Sequence, residues 1–322
     1  MRWFQRWFSR LQGEELVQWE EAECLEDLSR SFLAVNQGQP ILNLSIVEPF
    51  IERKDRIESY YWWTEVAKFW LLALAERHPN LRVIESPAFL LVTPYSDQTV
   101  NGVLRKIESM RFELLELYDG VAQDCSPGKN VVILFPHQTA YYDYISLFYP
   151  DGEFAMSGGI QIRAGYPHIA GFHRDGTGVY FGVMAHEMTH LYLSHLELPR
   201  WLDEALAQTY EFSVSAKDRH GKSLKLAPKH QAYWTPQSIQ AFWHGDSFHD
   251  PQAQDISYDL AVVLMRKLER VLKPEKEDLL GFIKNAARMD AGEAAAQQHL
   301  GIGLGELAAS FLGPGSWEPR LW

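Results

Sequence analysis

The residues of this chain best suited to chemistry stand together at Ala185-His186-Glu187-Met188-Thr189-His190, an HExxH string inside the helix-patterned run Val179 to Leu193. On an α-helix, residues four apart sit one turn above each other, so His186 and His190 can offer a ring nitrogen each to one Zn²⁺. Glu187 is turned by about 100° from His186 by the helix pitch. Its carboxylate is thereby directed at a water activated by the metal rather than at the metal, the place of a general base.

A catalytic zinc takes a third protein ligand and keeps one position open. Three side chains downstream compete for that role. His195 is five residues after His190, but the metzincin arrangement requires a glycine turn and a histidine six residues on, where this chain has Leu196 and no preceding glycine. Asp203 and Glu204 follow Pro199, which opens a new helical run, Arg200-Trp201-Leu202-Asp203-Glu204-Ala205-Leu206-Ala207-Gln208. The inner face of that run carries Trp201, Glu204 or Ala205, and Gln208, which favours Glu204 over Asp203. A His₂Glu set lowers the pKa of bound water to about 7. His186, His190 and Glu204 are therefore expected to converge on one point.

The HExxH string followed by Pro-x-Trp-Leu-x-Glu resembles the gluzincin zinc metallopeptidases, in particular compact peptidase MA-like domains. The likeness covers roughly residues 81–315 and is carried chiefly by the zinc motif. It implies a zincin-like fold, a Zn²⁺ cofactor, a peptide or protein substrate and peptide-bond hydrolysis with Glu187 as general base. It also implies a donor for the oxyanion from a later helix, and points to Tyr258 at the start of the run Tyr258 to Leu272; His230, His244 and His249 are alternative donors. Ala205 stands where the family usually has glycine, and the Gly-x-Met-Glu-Asn motif of the aminopeptidase relatives is absent. Two other readings stay open: a non-catalytic metal-binding or interaction protein that retains the fold and acts through its Trp-rich N-terminal region, and a zinc hydrolase of non-peptide amides. The intact Glu187 speaks for catalysis.

These residues need a scaffold, and the pattern describes an α+β one: a small mixed sheet followed by a helical zinc-binding subdomain. Ala88 to Thr93 and Val131 to Phe135 read as buried strands flanking a helix over Val100 to Tyr118, and Gly159 to Arg163 as part of a hairpin region. From Gly178 onward the pattern is helical nearly to the end. Residues 1–80 read as an all-helical extension or cap, broken at Gly38-Gln39-Pro40, and residues 81–322 as the peptidase domain. The apolar segment Tyr60 to Ala75 contains Glu65 and Lys68 and is too short to span hydrocarbon, so it reads as a buried helix.

Composition bounds the function classes. The 322 residues are 46% hydrophobic and 22% charged, as in a water-soluble globular protein, and the formal charge of −12 opposes binding to a phosphate backbone. Cys24 and Cys125 are too few and too far apart for a disulfide framework or a cysteine zinc site. Met1 to Leu11 is a short amphipathic pattern with Arg2, Arg6 and Arg10 on one face and Trp3, Phe4, Trp7, Phe8 and Leu11 on the other. It lacks the apolar run of a secretory signal. Glu14, Glu15, Glu20, Glu21, Glu23, Glu26 and Asp27 after it oppose an anionic membrane. The expectation is a cytoplasmic protein with no nucleic-acid partner and no stable membrane insertion.

Overall fold

A computed structural model describes residues 32–78, 80–150, 157–172, 177–215 and 222–321. The amphipathic N-terminal pattern and its acidic sequel lie outside the described residues.

The chain enters through a hairpin, β1 (Leu33–Asn36) and β2 (Gln39–Leu42), followed by helices α1 (Leu44–Ile51) and α2 (Arg56–Arg77). An all-helical extension is therefore incorrect. Gln37 and Gly38 both take positive φ, 47° and 80°, the backbone of a two-residue hairpin turn, which reverses the chain where a helix break was expected. Asp55 caps α2 by accepting from the amides of Ile57 and Glu58. The Trp70 indole donates to the Pro40 carbonyl (3.0 Å), fastening the hairpin to α2.

Next come β3 (Arg82–Glu85), β4 (Phe89–Thr93), α3 (Asp97–Leu117), β5 (Asn130–Phe135), α4 (Gln138–Ile145), β6 (Gly159–Ile162) and β7 (His168–Phe172). The five strands form one mixed sheet in the order β3-β4-β5-β7-β6. The β4/β5 and β5/β7 pairs are parallel, and the β3/β4 and β6/β7 pairs at the margins are antiparallel. The central strands are buried on both faces and read as unbroken apolar runs. One face packs on α2 and α4 through Trp70, Leu71, Leu74, Tyr141 and Tyr144. The other packs on α3 and on α5 (Thr177–Leu193) through Ile107, Met110, Met184 and Met188.

Helices α6 (Arg200–Ser215), α7 (Lys222–Tyr233), α8 (Ile239–His244), α9 (Gln254–Lys267), α10 (Lys276–Asn285) and α11 (Leu304–Leu312) complete the fold. The α+β class holds, with α5 to α11 following the small mixed sheet and α1 to α4 preceding it or lying between its strands. Helix α9 begins one turn before the expected Tyr258. Among the described residues no helix is long and apolar enough to cross a membrane; Tyr60 to Ala75 lies within α2, whose buried side is Val66, Ala67, Trp70, Leu71 and Leu74.

Candidate metal centre and active site

Helix α5 lies between the sheet and α6, so much of its described surface is apolar, and its two histidines occupy the stripe that meets α6. His186 and His190 lie on that stripe, their Nε2 atoms 3.1 Å apart. Helix α6 arrives against them because its first turn is anchored: Trp201 is fully buried among Phe242, Trp243 and Phe282, and its indole donates to the Ala291 carbonyl at 2.9 Å. Glu204, one turn on, puts Oε2 at 3.3 Å from His186 Nε2 and 3.7 Å from His190 Nε2.

The three atoms form a triangle with edges of 3.1, 3.3 and 3.7 Å. Ligands about 2.0–2.2 Å from a tetrahedral zinc stand roughly 3.3–3.6 Å from one another, so the donor set has the right size for Zn²⁺. Among the described residues His186, His190 and Glu204 are the group of side chains that could hold a metal ion.

The outer contacts fix which ring nitrogen faces inward. His186 Nδ1 is 3.3 Å from Glu211 Oε2, and His190 Nδ1 is 2.9 Å from Asp203 Oδ1. These are ion-pair distances without hydrogen-bond geometry, and they place a carboxylate on the Nδ1 side of each ring while the Nε2 atoms face each other and Glu204. Glu204 Oε2 is buried without a hydrogen-bond partner. Three potential metal-ligand atoms thus crowd one small buried volume, an arrangement suited to a cation.

The electrostatics agree. Burial would lower the pKa values of both histidines, but their carboxylate partners outweigh it and raise them: Glu204 and Glu211 for His186, Asp203 and Glu204 for His190. Burial would raise Glu204, yet Arg200 and the two imidazoles hold its carboxyl far below the ordinary range. The field that attracts protons to the imidazoles attracts a divalent cation equally.

Glu187 does not join the triangle. Its Oε2 accepts the Gln161 amide of edge strand β6 at 2.7 Å, and burial, the largest influence, raises its pKa despite the neighbouring histidines. Gly159 makes this approach possible: a Cβ there would stand 2.7 Å from Val183 Cγ1.

The expected ligands His186, His190 and Glu204 are brought together. Asp203 pairs with His190 from outside, and His195 lies in the turn just past the end of α5, its Nδ1 3.4 Å from Cys125 Sγ. Tyr258 comes to the same region from α9: it feels the charges of Glu204 and Glu187 and lies within hydrogen-bonding reach of the Arg200 guanidinium. Of the rival donors, His230 is buried in the helical tail, its Nδ1 accepting from Trp234 Nε1 and its ring against Phe311.

Three contributors escaped the sequence reading. Arg200 and Glu211 lie one turn before and two turns after Glu204 on the same stripe of α6, a periodicity the sequence carries. The Gln161 amide has no sequence signal, because any residue but proline supplies one.

No family model, curated protein or solved structure matches this chain. The site therefore speaks through its own geometry.

Proposed function

We propose that this protein is a zinc-dependent peptidase of the gluzincin type, built on a zincin-like core, with a peptide or protein as substrate. The observation that carries the reading is the buried triangle of His186 Nε2, His190 Nε2 and Glu204 Oε2, with an unpartnered carboxylate oxygen at one corner and the Glu187 carboxylate beside it. When bound, zinc supplies a Lewis acid that acidifies water and polarises the scissile carbonyl.

The chain's own residues do the rest. Glu187 is held by the Gln161 amide through Oε2, which leaves Oε1 to take a proton from water and deliver it to the leaving amine. Its raised pKa suits a group that must both accept and release that proton. The Tyr258 hydroxyl is the donor for the oxyanion of the tetrahedral intermediate. Strand β6 lies at the margin of the sheet, where an extended peptide can pair with backbone groups.

The test is metal analysis of purified protein together with cleavage of an unbiased peptide library, comparing wild type with Glu187→Gln. The substitution preserves size and hydrogen-bonding shape but cannot accept a proton. Zinc should remain stoichiometric while cleavage is abolished. Equal cleavage by the two proteins would refute Glu187 as the base, and stoichiometric zinc with no cleavage by wild type would favour a structural metal site.

A further inference from the structure

The guanidinium of Arg200 has no role in the reaction described above, yet it sits between two of its participants. Arg200 opens α6, and its Nη2 is ion-paired with Glu204 Oε1 at 2.6 Å. Tyr258 on α9 comes within the electrostatic and hydrogen-bonding influence of the same guanidinium. Its Nε is buried without a hydrogen-bond partner. Main-chain packing holds the side chain there: Gly245, at φ +94°, presses on it so closely that a Cβ would lie 2.9 Å from Arg200 Cβ. On the next residue, the buried Trp201 indole is pinned to Ala291.

The chemistry of the guanidinium sets two directions at once. It has five N–H donors in a fixed plane and no acceptor. Occupying Glu204 Oε1, it leaves Oε2 as the oxygen available to the histidine pair, so the carboxylate is presented through one atom. Toward Tyr258 it can only donate, so the phenol oxygen accepts and the phenol's own proton is free to point elsewhere. A carboxylate as buried as Glu204, at 1% exposure, also requires such a partner to stay ionised.

We propose that Arg200 is a positioning residue that couples the two halves of the site: it aims Glu204 Oε2 at the metal position and holds the Tyr258 hydroxyl with its proton turned to the substrate. This rests on the peptidase reading for Tyr258, and on the metal site alone for Glu204.

The experiment compares Arg200→Met and Arg200→Lys in the full chain. Zinc affinity is read by competition with a chromophoric chelator, kcat and KM on a peptide selected from the library, and folding by circular dichroism. Arg200→Met leaves Glu204 without its clamp, and zinc affinity should fall about 10–100-fold, the usual loss for an outer partner of a metal ligand. Arg200→Lys restores one donor to Glu204 but lacks the fork to reach Tyr258. It should keep zinc affinity within a few-fold of wild type, leave KM unchanged and lower kcat about tenfold or more, with Tyr258→Phe adding little in the double variant. A merely structural arginine would give no such split between the two substitutions. Wild-type zinc affinity in folded Arg200→Met overturns the Glu204 half, and additive kcat losses in Arg200→Lys with Tyr258→Phe overturn the Tyr258 half. Should Arg200→Met not fold, wild-type kcat in Arg200→Lys would overturn the coupling by itself. Stoichiometric zinc, weakened in Arg200→Met, with no peptide cleaved by any form, supports the Glu204 half and overturns the peptidase reading instead.

Discussion

His168 opens β7 on the face of the sheet covered by α2, packed in a different cluster from the site of His186, His190 and Glu204, and it makes the stability of this protein depend on pH in a way that can be calculated. Its ring is 1% exposed, with Trp70, Tyr144 and Phe148 around it. Nδ1 is 2.7 Å from the Tyr166 carbonyl, which can only accept, so Nδ1 carries the proton; Nε2 is 2.8 Å from the Tyr144 hydroxyl and accepts from it. Protonating Nε2 would force Tyr144 to reverse its bond and find a new acceptor inside an apolar layer. Burial accordingly pushes the imidazole down to about 4 from 6.5, against the opposing pull of the Tyr166 carbonyl. The folded-state value is the lower one, so the contribution is fully present above pH 6.5 and is lost as the pH falls through 4. Integrated between pH 7.5 and 4.5, that difference removes about 2.5 kcal/mol of stability. His230, also pushed down to about 4 by burial, acts in the same direction, whereas the raised values of His186 and His190 act oppositely. The assay must therefore isolate His168. Urea unfolding of wild type and His168→Gln, whose amide can serve the same two partners, should show wild type losing about 2 kcal/mol more than the variant on going from pH 7.5 to 4.5. Parallel pH profiles, agreeing within about 0.5 kcal/mol, would refute the argument that this imidazole is held neutral by its surroundings.

The remaining predictions concern the site. Glu204→Gln should weaken zinc binding by an order of magnitude or more, with activity partly restored by added zinc; an unchanged chelator-competition curve would exclude Glu204 as a ligand. Tyr258→Phe should retain zinc and lower kcat by about 10²–10³ with little change in KM, as for loss of one oxyanion donor; full activity would return the role to another group. Gly159→Val puts a side chain into the 2.7 Å gap to Val183. It should cost about 1–3 kcal/mol in denaturant unfolding and reduce kcat by loosening the Gln161 hold on Glu187; a wild-type unfolding midpoint would show that β6 and α5 have room to separate.

Periodicity alone places His186, Glu187 and His190, because one helix fixes their relation whatever surrounds it. The buried strands and the helix between them were legible for the same local reason: unbroken apolar runs of strand length on either side of a 3.6-residue pattern. Glu204 was legible one step further, since Pro199 marks where α6 begins and the spacing then chooses its inner face. The N-terminal hairpin was not, because Gly38 and Pro40 interrupt a helix and turn a hairpin equally well until φ at Gln37 and Gly38 is known. The roles of the remaining charged residues were decided by tertiary structure. Asp203, Arg200 and Glu211 belong to α6 along with Glu204, and only the rotation and distance of that helix against α5, with Trp201 buried in its first turn, decides that Asp203 and Glu211 come to the Nδ1 atoms and that Arg200 comes to Glu204. The Gln161 amide and Tyr258 come from elements far away in sequence, and no local pattern encodes which backbone group or which phenol the packing will carry to the same few ångströms.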